Sequence, residues 1–295
     1  MGLEWKIENS KISPPGAIVT VNNHKMHVYK KGEGADILVF MAGSGTCCPT
    51  LDFKPIWMPL SKNLTIVVIE KAGYGWSETA KVSRDIDTML NETRTALSLA
   101  GLHPPYILMP HSMSGIEALA WAIHFPDEVR AIIGLDAAFP EAYDQLTAFK
   151  AAFSTALYRL LSLSARIGLL RLISKAAEKP IKACGQFSGE EISVYRHIFL
   201  HHSFTTNMIN EVKCCRDNAQ KTKKLGYPKT IPYLSFISDG KEIGISNWRK
   251  LSIEFVSQMQ HGTYVTLDCG HYIHHYQPEI IALETEKFVA NIYNS

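Results

Sequence analysis

Apolar and polar residues alternate along residues 17–30 (AIVTVNNHKMHVYK) on both sides of Asn22-Asn23. That pattern predicts a β-hairpin turning at the two asparagines. Residues 36–41 (DILVFM) and 65–70 (TIVVIE) are instead short, nearly continuous apolar runs, as expected of strands buried on both faces. Each run meets a turn: Ala42-Gly43-Ser44-Gly45-Thr46 after the first, Gly73-Tyr74-Gly75 after the second. Helical spacing takes over at 84–100. A third buried run, 106–109, leads almost at once to helical spacing from about 113 to 124. Residues 131–135 are apolar and end at Asp136, and 233–237 and 264–267 predict two more strands. A last helix is predicted from near Pro278, a residue suited to a first turn, towards Asn291.

Strands alternating with helices predict an α/β fold: a mostly parallel central sheet with helices on both faces. Residues 140–228 interrupt the alternation, being helix-like and poor in strands. They predict a helical cap inserted into a core made of residues 1–139 and 229–295. An insertion at the C-terminal edge of such a sheet would cover the crevice where ligands bind. The Leu/Ile stripes of the cap, Leu157–Leu161 and Ile167–Ile173, predict packing against the main domain. A substrate-lining or membrane-touching face is the alternative.

Composition narrows the class of function. A chain of 295 residues can bury one large core or two modest ones. A net charge of +2 without a long basic run argues against a nucleic-acid partner. No apolar run reaches the ~18–20 residues of a membrane-spanning helix, so stable membrane insertion is not expected. The first residues, MGLEWKIENSKISPPG, lack the apolar segment of a secretory signal. Lys6 stands where myristoylation of Gly2 would want Ser or Thr. Of six cysteines, Cys47-Cys48 and Cys214-Cys215 are adjacent doublets, Cys184 and Cys269 stand alone, and no C-x-x-C occurs. Reduced thiols in a cytoplasmic protein are expected. No sequence feature specifies an oligomeric state.

The chemistry centres on LMPHSMSGIEALAWA (108–122). A serine displayed between a buried strand and a helix can act as a nucleophile. It needs a histidine to take its proton, an acid to orient the histidine, and N–H groups where an oxyanion forms. Ser112 is the candidate nucleophile. The Met113 N–H is one oxyanion donor, and the loop at 42–46 supplies the other, for which Ser44 is preferred over Gly43. His271, in Cys269-Gly270-His271-Tyr272 after the last strand, is the candidate base. The usual glycines of G-x-S-x-G are replaced by Pro110 and Ser114. A serine is small enough to fit, and a proline suits a strand end if no partner needs its N–H.

VVIEKAGYGWSE (67–78), PYILMPHSMSGIEALAWAIHFPDEVRAIIGLDAAFP (105–140) and LDCGHYIHHYQPEII (267–281) resemble the α/β-hydrolase fold superfamily. The likeness covers most of residues 17–139 and 229–292. It implies an α/β-hydrolase fold with a helical cap and a serine hydrolase with a nucleophile elbow and an acyl-transfer mechanism needing no cofactor. In the commonest family pattern the acid follows the strand after the cap, where Ser238-Asp239-Gly240-Lys241-Glu242 stands. Lys241 occupies the expected position, so Asp239 or Glu242 would have to serve. Asp136, at the end of the preceding strand, is preferred, in the placement of some haloalkane dehalogenases. The serine argues against dehalogenase or epoxide hydrolase chemistry, which uses an aspartate there. The expected substrate is a small, partly hydrophobic ester or thioester. An aminopeptidase or amidase, a cofactor-free lyase or transferase on the same scaffold, and a non-catalytic ligand-binding protein are the alternatives. His274 and His275 are expected to be supporting or exposed. His197 and His201 stand at i, i+4 but lack the glutamate of H-E-x-x-H, so no metal site is expected.

Overall fold

The computed structural model describes residues 13–292; the readings made on the first residues of the chain, Gly2 and Lys6 included, lie outside them. The chain begins with β1 (Ala17–Val21) and β2 (His24–Lys31), joined at Asn22-Asn23. Both asparagines have positive φ, 47° and 66°, the geometry a tight two-residue hairpin requires and asparagine tolerates. Then come β3 (Ile37–Met41), the short helices α1 (Pro49–Asp52) and α2 (Lys54–Leu60), β4 (Thr65–Glu70), α3 (Ile86–Leu99), β5 (Tyr106–Pro110), α4 (Ser114–His124) and β6 (Val129–Leu135). The cap follows as α5 (Ala148–Arg166), α6 (Ser174–Ala177), α7 (Lys179–Ala183), α8 (Gly189–His202) and α9 (Thr206–Leu225). The chain returns to the sheet with β7 (Tyr233–Ile237), α10 (Trp248–Val256), β8 (Gly262–Thr266), α11 (Ile273–Tyr276) and α12 (Pro278–Ile292).

The eight strands form one sheet in the order β1-β2-β4-β3-β5-β6-β7-β8. The two pairings of β2 are antiparallel and all the others parallel. The period of two along the central strands splits the core into two layers. Val39, Met41, Val67, Ile69 and Leu108 face α3, α4 and α10. Leu38, Phe40, Ile66, Val68 and Met109 face α2 and α12. Covering both faces is why these strands read as continuous apolar runs rather than alternating ones.

Several boundaries shift by a residue or two from the sequence reading, β6 starting at Val129 rather than 131, and two of the shifts have a visible local basis. Helix α3 starts at Ile86 rather than 84, because the Asp85 side chain caps it by accepting the Thr88 N–H at 3.1 Å. Arg84 turns inward onto Glu92 at 2.6 Å. Strand β8 starts at Gly262 rather than 264, where the register with β7 pairs Gly262 with Tyr233. Helices α1, α2, α10 and α11 were not anticipated. Three are a turn or two long, too short for a period to emerge, and α2 carries prolines at 55 and 59.

The cap corrects a larger expectation. Its Leu/Ile stripes do not pack against the main domain: Leu157, Leu160, Ile167, Leu169, Leu172 and Ile173 are exposed, and Leu170 is the buried member of the second stripe. Helix α5 packs against α9 with its other side, and Thr155 is its one fully buried residue. Helix α9 in turn is tied to the body by buried polar bonds. Lys71 pairs with Glu211 of α9 and lies 3.4 Å from Glu117 of α4. The Tyr74 hydroxyl donates to Glu211 at 3.0 Å. Asn218 accepts the Ile86 N–H and donates to the Arg84 carbonyl, both at 2.9 Å.

Candidate active site

Strand β5, β6 and β8 all end at one edge of the sheet, and the loops leaving them bring Ser112, Asp136 and His271 together. Ser112 follows β5 with φ of +55°, a left-handed conformation that costs a non-glycine residue ~1–3 kcal/mol. The surroundings enforce it. The Ser112 N–H donates to the Leu135 carbonyl at 3.3 Å, and its carbonyl accepts N–H groups from Gly115 (3.0 Å) and Ala138 (2.8 Å). Space at the elbow is demanded at Gly43 and Gly115 rather than at positions 110 and 114. A Cβ on Gly43 would lie 2.6 Å from the Ser112 Cβ, and one on Gly115 would lie 2.2 Å from the Ala138 carbonyl oxygen.

The two unusual shoulders have local explanations. The Ser114 hydroxyl lies between two carbonyls that could each accept its proton, Met41 at 2.7 Å and His111 at 2.8 Å. It therefore fastens the elbow to the end of β3. Pro110 pairs in register with Met41, while the β5–β6 ladder runs from Tyr106 to Leu108 and stops short of it. Backbone donation resumes at His111, whose N–H meets the Met41 carbonyl at 2.9 Å.

The side chains form a hydrogen-bonded chain. The Asp136 Oδ2 lies 2.6 Å from His271 Nδ1, and His271 Nε2 lies 2.8 Å from Ser112 Oγ. A carboxylate can only accept, so Nδ1 carries the imidazole proton. Nε2 is then free to accept from the serine hydroxyl. Asp136 itself is 1% exposed and, like Ser112, sits at positive φ, 45°. Its second oxygen, Oδ1, accepts the Trp248 Nε1–H at 2.7 Å and the Ser238 N–H at 2.8 Å. These donors satisfy a buried charge and fix its direction.

The other two acids stand differently. Asp239 accepts the backbone N–H of Lys241 at 3.0 Å and pairs with its ammonium at 2.9 Å. Those bonds, the backbone one foremost, hold its carboxyl below the usual carboxylate range. Glu242 reaches His271 from the backbone side, accepting its N–H at 2.8 Å. An added Cβ at Gly270 would overlap that carboxylate at 2.4 Å.

At the other side of Ser112, neither the Met113 nor the Ser44 N–H meets a protein acceptor among the described residues. Met113 stands immediately before α4, where unsatisfied N–H groups and the helix dipole favour negative charge. The Ser44 hydroxyl shares a 2.8 Å hydrogen bond with the Tyr158 hydroxyl, which descends from α5 of the cap. All four groups open into a cavity of about 790 Å³ between sheet and cap, lined also by Leu146, Phe149, Val212 and Trp248. Its walls are mainly apolar with a few converging polar groups, as in small-molecule sites.

Behind the site lies a cluster of imidazoles. The His111 ring lies tilted against His271 with ring centroids 4.7 Å apart and meets His274 edge-on at 4.9 Å. Burial, reinforced by His271, pushes the His111 imidazole well below its ordinary pKa; burial and neighbouring His275 do the same to His274. Both are held neutral. His274 and His275 are buried, correcting the expectation of exposure while leaving a supporting part open to them. Asp52, His274 and His275 offer donor atoms within 4.8 Å of one another. His275 Nε2, however, already lies 3.2 Å from the Asp52 carbonyl, which leaves Nδ1 as its open donor position. The rings of His197 and His201 on α8 lie tilted to one another, with centroids 4.6 Å apart. The six cysteines are unpaired, and burial pushes the Cys47 and Cys48 thiols far up. Among the described residues, no helix is long and apolar enough to cross a membrane.

Trp248, Ser238, His111 and Tyr158 escaped the sequence reading. Trp248 meets Asp136 across 112 positions of chain, and no local pattern signals such a contact.

No protein-family model matches the chain. The uncharacterized protein YbdG of Bacillus subtilis (strain 168) is 36% identical over 291 residues, covering 97% of this chain and 89% of that protein. Among solved structures, an enol-lactonase from Burkholderia xenovorans LB400 superposes with a TM-score of 0.67 at 16% identity, over 93% of this chain and 100% of its own. A haloalkane dehalogenase loop variant from Bradyrhizobium elkanii gives 0.67 at 16% identity, over 94% and 97%. The chain therefore has the α/β-hydrolase fold of these structures, and it belongs to the family of YbdG.

Proposed function

We propose that the protein is a serine hydrolase acting by acyl transfer on an ester or thioester of a small, partly hydrophobic substrate. The observation that carries this reading is the continuous chain Asp136–His271–Ser112, at 2.6 and 2.8 Å, ending on a strained elbow beside two N–H groups that meet no acceptor among the described residues. A ligand-binding role alone would not require that ordered chain. The enol-lactonase among the structural neighbours is compatible with carboxylic ester chemistry.

In this mechanism Ser112 Oγ attacks the substrate carbonyl carbon while His271 Nε2 takes its proton. Asp136, held by Trp248 and Ser238, keeps Nδ1 protonated and stabilises the imidazolium that forms. The carbonyl oxygen becomes an oxyanion and receives hydrogen bonds from the Met113 and Ser44 N–H groups. The intermediate collapses as His271 returns the proton to the departing alkoxide or thiolate. A water, deprotonated by His271, then releases the acid and restores Ser112. The chemistry needs no metal or cofactor. The partner is a small molecule in the cavity, and the unpaired cysteines favour the cytoplasm.

A fluorophosphonate probe tests the reading. The native protein is expected to be labelled and to hydrolyse p-nitrophenyl esters of graded chain length, and Ser112→Ala to do neither. Folded protein that resists the probe and turns over none of the esters would refute it.

A further inference from the structure

We propose that the outer face of the cap is a docking surface for an anionic lipid bilayer. Helix α5 carries Phe149, Phe153, Leu160 and Leu163 on its outer side, continued by Ile167 and Leu172. Phe149 is 79% exposed, Ile167 64% and Leu172 81%. At 3.6 residues per turn, positions 149, 153, 160, 163 and 167 fall within an arc of about 80°. Monomeric soluble proteins rarely leave so many large apolar side chains contiguous and uncovered.

Charge identifies what covers the face. No Asp or Glu occurs from residue 145 to 177, whereas Lys150, Arg159, Arg166, Arg171 and Lys175 do. All five cations are exposed, and none pairs with an acid among the described residues. On the same helical wheel, Lys150 borders the apolar arc on one side and Arg159 and Arg166 on the other. Apolar side chains framed by cations match a headgroup layer over acyl chains. A two-fold interface between copies would set cations against cations, because an isologous contact uses the same patch twice. Arg166 and Arg171 also line a cleft of about 650 Å³ with Ser162, Thr205 and Thr206, a place for an anionic headgroup.

The face adjoins the site. Phe149, Lys150 and Phe153 belong both to the exposed stripe and to the rim of the 790 Å³ cavity beside Ser112. Docked this way, the cavity mouth opens against the lipid, within reach of amphiphiles held in the layer. This is reversible attachment from one side, because no described helix is suited to spanning.

The test is flotation of the full-length protein with phosphatidylcholine vesicles, with and without an equal part of phosphatidylglycerol. Binding is expected only with phosphatidylglycerol and is expected to weaken as salt rises. Arg159→Gln/Arg166→Gln/Arg171→Gln should weaken it by about 100-fold, and Leu160→Asp/Leu172→Asp should abolish it. These side chains do not line the Ser112 cavity, so activity on a soluble ester is expected to persist in both variants as a control for folding. Ser112→Ala should bind vesicles like the native protein, which separates this proposal from the hydrolase reading. Absence of vesicle binding by the native protein, or binding indifferent to phosphatidylglycerol, would overturn it. So would a stable dimer that Leu160→Asp/Leu172→Asp dissociates, which would assign the face to a second copy.

Discussion

Mild acidification should destabilise this protein through the imidazoles behind its elbow. His111 is packed among Phe53, His271, Tyr272 and His274; His274 lies among Phe53, His111, Tyr272 and His275. No carboxylate pairs with either ring among the described residues, and burial lowers both pKa values well below 6.5. In the unfolded chain each titrates near 6.5. Below that pH the unfolded state therefore binds protons that the folded state refuses. Stability is present above the unfolded pKa and is lost as pH falls. Between about pH 7.5 and 5.5 the loss approaches about 1.4 kcal/mol per histidine, or roughly 2.7 kcal/mol for the pair. His202, whose pKa is also lowered by partial burial, acts in the same direction. Urea unfolding followed by tryptophan fluorescence at the two pH values measures the difference. His274→Phe should remove about half of the pair's contribution. A stability that stays flat over this range, or an unchanged dependence in His274→Phe, would refute the account of two buried neutral rings.

Four further outcomes follow from the geometry. Asp136→Asn should lower kcat on a p-nitrophenyl ester by about 10³–10⁴-fold by disturbing the His271 tautomer. Asp239→Asn, which touches only the Lys241 pairing, should leave it nearly intact; the reverse result would move the acid to Asp239. Trp248→Phe keeps the ring against Phe139 but removes a hydrogen bond to the buried carboxylate. It should cost roughly 10–100-fold in kcat with KM little changed, read from steady-state kinetics. Gly43→Ala should abolish fluorophosphonate labelling, since the added methyl would overlap Ser112, and thermal unfolding should show a loss of about 1–3 kcal/mol. Lys71→Met should strand the carboxylates of Glu117 and Glu211 beneath the cap and cost about 3–5 kcal/mol. Lys71→Met combined with Glu117→Gln and Glu211→Gln should recover part of that loss in denaturant unfolding.

Much of the architecture was legible because it is written locally. Period-two and continuous apolar runs reveal strands and whether one or both faces are covered. Asn22-Asn23 and Gly43 mark turns by the backbone angles or close approaches they permit. The strand–Ser112–helix junction and the loop at His271 are local features too, so both could be singled out before any contact was known. The rest depends on residues far apart in the chain. The carboxylate that meets His271 comes from the end of β6, because sheet order places that strand between β5 and β7 and a left-handed turn aims Asp136 at the ring. Trp248 and Ser238 then satisfy its other oxygen from across the fold. The outer leucines of the cap have the same spacing as a buried stripe. Periodicity defines an apolar face, but whether protein covers it is set by the neighbouring elements, and here α9 took the opposite side of the helix.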